Sequence, residues 1–144
     1  MVKVRFHREV PDEKIKFVVT AARYNEKWIF CKHRARNTLE LPGGHREQGE
    51  EVSAAARREL YEETGAQKFE LRPVCPYSVE GPTGANPSGE ESFGMLYLAE
   101  IAELGELPPM EIERIEFLDG LPDQMTYPGI IPSLMAKAES MLTQ

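Results

Sequence analysis

The sequence predicts an α/β fold: one domain, residues 1–144, in which helices cover the faces of a mixed β-sheet. Three observations predict it. The 144 residues match the commonest domain size of roughly 100–150 residues. Apolar residues make up 41% and charged residues 28% of the chain, the balance of a globular protein rather than a disordered one. Short β-rich runs flank one strongly helical segment, and a second helical pattern closes the chain. No repeat, low-complexity tract or linker divides it.

Residues 17–24 (FVVTAARY) and 28–33 (WIFCKH) are rich in β-branched and aromatic side chains, and Asn25, Glu26 and Lys27 join them as a hairpin. A third short run, residues 39–41, ends at Pro42, Gly43 and Gly44, where helix and strand are both disfavoured, so a loop is expected from Pro42. Strong helix formers fill residues 51–64, and Gly65 stands where a left-handed C-terminal cap belongs. Residues 69–79 and 93–101 read as strands joined by a Gly- and Pro-rich loop over 81–89, which is a candidate substrate-facing segment. Period-two alternation over 111–117 predicts another strand, and residues 130–142 a closing helix.

The net charge of -7, from 17 Lys plus Arg against 24 Asp plus Glu, disfavours attraction to duplex nucleic acid but leaves room for a small phosphorylated ligand. Cys31 and Cys75 sit in apolar contexts without metal-ligand spacing and are expected as buried thiols. No stretch approaches the ~18 apolar residues of a membrane span, so no membrane partner is expected and a cytoplasmic location follows by elimination.

The chemistry concentrates between Gly44 and Ala66, where glutamates occupy positions 47, 50, 51, 59, 62 and 63. On a helix, Glu59, Glu62 and Glu63 fall within an arc of about 100°, so their carboxylates can converge. The same stripe toward the N-terminus carries Val52, Ala55 and Ala56, a small apolar packing surface. A solvated face laced by ion pairs would account for Arg58 with Glu62, but not for Glu59 and Glu63, four residues apart and mutually repulsive. A divalent cation reverses that repulsion, and clustered hard oxygens suit Mg²⁺ or Mn²⁺.

Gly44, Glu50, Arg58, Glu59, Leu60, Glu62, Glu63, Gly65 and Ala66 together resemble a complete Nudix box, G-x5-E-x7-R-E-U-x-E-E-x-G-U, with U a bulky aliphatic residue and Ala66 a mild departure. The resemblance implies an α/β/α sandwich and a pyrophosphohydrolase dependent on Mg²⁺, with Mn²⁺ as a substitute. It implies Glu59 and Glu63 as principal metal ligands, Glu62 sharing their shell, the Gly43 carbonyl as a further ligand and Glu50 beside them. Arg58 would hold a glutamate in place, which suits the fork geometry of guanidinium. Glu111 resembles the family's frequent general base outside the box, with Glu90 and Glu91 as rivals.

Arg23, His33, Arg34 and Arg36 precede the box and are candidate phosphate contacts, because cations there would offset the acids. His7 and His45 are weaker candidates. Among Trp28, Phe93, Tyr97, Phe117 and Tyr127, the preferred contact for a base is Tyr127, beside Pro128 and Gly129 at the entrance of the last helix. A short Nudix chain resembles the mutator-type enzymes that hydrolyse nucleoside di- or triphosphates, oxidised purine nucleotides among them. Sugar nucleotides, dinucleoside polyphosphates and capped RNA are alternatives, as is a non-catalytic nucleotide-sensing module. The resemblance also implies a tendency to form homodimers.

Overall fold

The structure is a computed structural model, and it describes residues 2–83 and 86–143. Its elements are β1 (Lys3–Phe6), β2 (Ile15–Tyr24), β3 (Lys27–His33), β4 (Leu39–Glu40), β5 (Gly43–His45), α1 (Val52–Thr64), β6 (Ala66–Glu80), β7 (Ser92–Leu104), β8 (Ile112–Leu118) and α2 (Ile131–Ser140). The strands form one sheet of order β1-β6-β7-β2-β3-β4, with β5 paired to β2 and β8 to β3. β2 runs parallel to β7 and antiparallel to β3 and β5, so the sheet is mixed.

Alternation along the central strands assigns the two faces. On β2, β3 and β7 respectively, Ala22, Ile29, Ala99 and Ile101 join Leu60 of α1 in one buried cluster, while Val18 and Tyr97 pack with Ala55 and Ala56 of α1 in another. The intervening residues Ala21, Phe30, Leu96 and Leu98 pack with Ile131, Leu134, Met135 and Ala138 of α2. Period two along each strand therefore sends alternate side chains to opposite helices, and the result is the α/β/α sandwich. No helix among the described residues is long and apolar enough to cross a membrane.

Asn25 and Glu26, with φ of 50° and 65°, form the two-residue turn between β2 and β3, one residue shorter than the sequence suggests. This is the left-handed geometry that matches strand twist in tight hairpins. The loop expected from Pro42 is instead interrupted by β5, because Val18 and Val19 of β2 present a free edge that Gly44 and Gly43 pair with. Those glycines are required by packing. A Cβ at Gly43 would collide with the Val18 carbonyl, and one at Gly44 with the Glu59 carboxylate. The N-terminal strand β1, paired with β6, has no counterpart among the expected elements. Within the 81–89 connection, Gly84 and Ala85 lie outside the described residues. Cys31 is fully buried, and its thiol donates to the Glu63 carbonyl at 3.4 Å, whereas Cys75 is only half-buried.

Candidate active site

Helix α1 ends at Gly65, whose φ of 81° closes it through a bond from the Gly65 N–H to the Tyr61 carbonyl. With Ala55, Ala56 and Leu60 fixed against the sheet, the helix rotation is set, and Glu59 and Glu63 follow on the edge of the buried stripe. Glu63 is 9% exposed, and its Oε1 accepts the Gly43 N–H at 2.9 Å. Glu59 lies against Gly44. The two acids thus face the two adjacent glycines of β5.

Burial dominates their chemistry. It pushes the Glu63 carboxyl up to about 8, against the lowering effect of the Gly43 N–H and with added repulsion from Glu59, Glu40 and Glu111. It pushes Glu59 up to about 7, with Glu62 adding to the rise and Arg58 opposing it. Glu50 moves the other way, to about 2, because Arg58 donates to it from Nε at 2.7 Å and from Nη2 at 3.0 Å. Arg58 also reaches Glu59 at 2.9 Å, Glu62 at 3.3 Å and the His45 carbonyl at 3.1 Å. One guanidinium therefore gathers three acids of the motif.

This differs from convergence of Glu59, Glu62 and Glu63 on one point. Among the described residues, no three acidic, imidazole or thiol side chains already form a ligating set, since Arg58 draws Glu62 and Glu59 to itself while Gly43 holds Glu63. The donor set nevertheless fits a hard divalent cation. Two carboxylates stand in a partly dry site where their own charge is opposed by burial, and an added cation would offset that cost. The missing side chain of Gly44 leaves the Glu59 carboxylate its place.

The remaining candidates separate by location. The His33 Nδ1 accepts the Ala35 N–H at 3.1 Å, and its Nε2 lies 3.4 Å from the Glu111 carboxylate. Arg34 donates from Nε to the Met110 carbonyl at 2.8 Å and from its backbone N–H to the Glu111 carbonyl at 2.9 Å. These contacts bring Glu111 to the end of β3, where its charge is felt at Glu63. Glu91 is committed elsewhere, accepting from Ser78 at 2.8 Å and Arg5 at 3.3 Å, and Glu90 is exposed. Arg36 pairs with Glu40 at 3.5 Å. Arg23 is set apart, its guanidinium over the Trp28 ring at 5.1 Å and 3.5 Å from Glu100. His7 is bonded to Ser78 at 2.8 Å.

A cavity of about 380 Å³ opens between β2, β5 and α2. Gly43, Gly44 and His45 form its acid-facing wall, and Phe17, Leu41, Tyr77 and Leu134 supply apolar surface. Tyr127 lines it, as do Thr83 and Asn86 from the β6–β7 connection. Trp28 and Tyr97 are buried in the core clusters, and Phe117 stacks on Tyr24 at 6.0 Å. Sequence reasoning missed Tyr77, Glu40 and Arg46. Arg46 ties the loop before α1 to the Glu50, Asp12 and Ile15 carbonyls at 2.7, 2.8 and 3.1 Å. No sequence spacing signals that bond set, because two of its partners, Asp12 and Ile15, are far from Arg46 in the chain.

In this α/β/α sandwich the loop–helix segment sets one buried and one partly buried acid, Glu63 and Glu59, against glycines that also line an apolar cavity, the arrangement of a candidate small-molecule site. The model of the NUDIX domain family matches residues 12–124, and the chain belongs to that family. Bacillus subtilis YtkD, provisionally named an 8-oxo-dGTP diphosphatase, is 35% identical over 80 residues, which cover 56% of this chain and 50% of that relative. The match thus spans about half the length of the curated relative. Among solved structures, the Bacillus subtilis pyrophosphohydrolase BsRppH superposes with a TM-score of 0.77 at 24% identity, covering 97% of this chain and 90% of that one. The NUDIX domain of Shewanella oneidensis NrtR, complexed with ADP ribose, gives 0.67 at 14% identity, with 93% and 94% covered. At these identities the two structures share the fold.

Proposed function

We propose that the protein hydrolyses the diphosphate linkage of a nucleoside di- or triphosphate with a divalent cation, Mg²⁺ or in its place Mn²⁺, and that an oxidised purine nucleotide is the substrate. One observation carries this reading: Glu63, buried, and Glu59, partly buried, lie against Gly43 and Gly44, which also wall the apolar cavity. Phosphates at the acids and a base in the cavity are then parts of one ligand. The name of the Bacillus subtilis relative supports the choice of nucleotide.

Glu59 and Glu63 would hold the cation, with Glu62, Glu50 and the Gly43 carbonyl completing or bordering the set. Such a cation, when bound, neutralises phosphate oxygens and makes water attack at phosphorus feasible near neutral pH. Arg58 keeps Glu50 ionised and aims Glu59 and Glu62. Glu111 takes the proton from the attacking water, and Arg34 holds it in place through its backbone carbonyl. Arg34 and Arg36 bring positive charge to the phosphate side, beside the His33 ring. Tyr127 offers its ring to the base.

The ADP ribose bound by the NrtR domain favours a second reading, a module that binds a nucleotide derivative without turnover. A panel of nucleotides, incubated with Mg²⁺, with Mn²⁺ and with excess chelator, separates the two by product mass. Metal-dependent release of two phosphorylated fragments is expected. Binding without products would select the sensor, and turnover undiminished by chelator would overturn the metal assignment.

A further inference from the structure

The floor of the cavity contains a polar group that the protein itself leaves unused. Tyr77 on β6 is 1% exposed and lines the cavity. Its hydroxyl has no hydrogen-bond partner among the described residues, although it is not sealed in the core. Buried polar groups are nearly always paired, so an unpaired hydroxyl beside open space marks a place for a ligand atom.

The ring is held firmly. Phe17 meets it edge to face at 5.7 Å, and His45 meets Phe17 in the same manner at 6.4 Å. Burial also pushes the phenol well above its usual range, so near neutral pH it keeps its proton and can donate. The cavity volume of about 380 Å³ lies at the small end of the roughly 300–1,000 Å³ of ligand sites. That size suits a base with part of its sugar. Gly43 and Gly44 wall the same space, so a ligand whose phosphates face Glu59 and Glu63 directs its other end toward Tyr77.

We propose that the Tyr77 hydroxyl donates a hydrogen bond to an acceptor on the edge of an oxopurine base and so determines which nucleotide the site accepts. The inference rests on the reading of this cavity as the base-binding side of the hydrolase. A site that offers a buried hydrogen-bonding group discriminates strongly against ligands that cannot use it, whereas an apolar wall does not. Tyr77 is therefore a specificity residue, apart from the acids that handle the phosphates.

Tyr77→Phe removes the hydroxyl and nothing else, and because that hydroxyl is unpaired the ligand-free variant should melt at the wild-type temperature or above it. Equilibrium binding and kcat/KM are measured for dGTP, dITP, dATP and the 2-aminopurine deoxynucleoside triphosphate, which lacks the 6-carbonyl of guanine. Wild type should prefer the oxopurines, and Tyr77→Phe should weaken these by about tenfold while changing the other two less than about twofold, which compresses the preference. An equal loss on all four, or no loss on any, overturns the role of Tyr77 and leaves the hydrolase reading intact. A Tyr77-dependent binding preference without turnover overturns the hydrolase reading and upholds the inference. Failure of all four nucleotides to bind overturns both.

Discussion

Glu63 shows how burial sets the behaviour of a single side chain here. Its carboxyl is raised to about 8, so the metal-free folded protein binds a proton there that the unfolded chain releases above about 4.5. The stability this proton confers is present at and below pH ~4.5 and is lost as pH rises through ~8. Chemical denaturation of metal-free protein should therefore show stability falling over that window, and Glu63→Gln should flatten the fall. Equal slopes in both proteins would place Glu63 in water. Glu111 is tested by rate: Glu111→Gln should lower kcat by about 10²–10⁴-fold, whereas Cys75→Ser should leave it unchanged. Wild-type kcat in Glu111→Gln would reassign the base. Side chains of this kind were unequally legible. Glu59, Glu62 and Glu63 could be read as a stripe because helical periodicity is local. Tyr77 could not, since an aromatic on a strand ordinarily fills the core, and only the packing of α2 reveals an open space at its hydroxyl.

The loop, β5 and α1 act as a single mechanical unit. Gly44 gives Glu59 its space and Gly65 ends the helix. Gly44→Ala forces its Cβ into the Glu59 carboxylate, so activity should drop severely although the backbone at Gly44 takes no positive φ. Gly65→Ala meets both a left-handed φ of 81° and the Glu106 and Gly105 carbonyls at 2.7 and 2.8 Å. It should cost stability, about 1–2 kcal/mol from the conformation alone and more from the contacts, with a melting shift as the readout. If Gly44→Ala keeps full activity, the Glu59 position is not critical. The helix with its cap and the β2–β3 hairpin were legible because capping and turn chemistry are encoded within a few residues. β5 was not, because Gly43 and Gly44 are poor strand formers that become a strand only by meeting the free edge of β2.

Across the whole molecule, the segment proposed to bind metal is joined to the fold by the face of α1 that covers the sheet, so cation binding there would be linked to stability. Strand-like runs around one central helix, with a second helical pattern closing the chain, made a sheet covered on its faces predictable, whereas strand order was beyond reach, because partners such as β1 and β6 are far apart in sequence. Glu59 is the group through which the linkage is most simply probed. Its carboxyl is raised to about 7 despite the Arg58 ion pair, so burial and Glu62 outweigh that attraction. Glu59→Gln should accordingly leave the metal-free protein as stable as wild type or slightly more so near pH 8. With a cation at 100 times its Kd, wild type should gain about 2.7 kcal/mol, and the variant less. Titration of Mg²⁺, and separately Mn²⁺, into metal-free wild type and Glu59→Gln by calorimetry measures the cation site itself. Saturable binding to wild type that weakens at least about tenfold in the variant is the predicted result, and identical isotherms for the two proteins would contradict the assignment of the acid cluster.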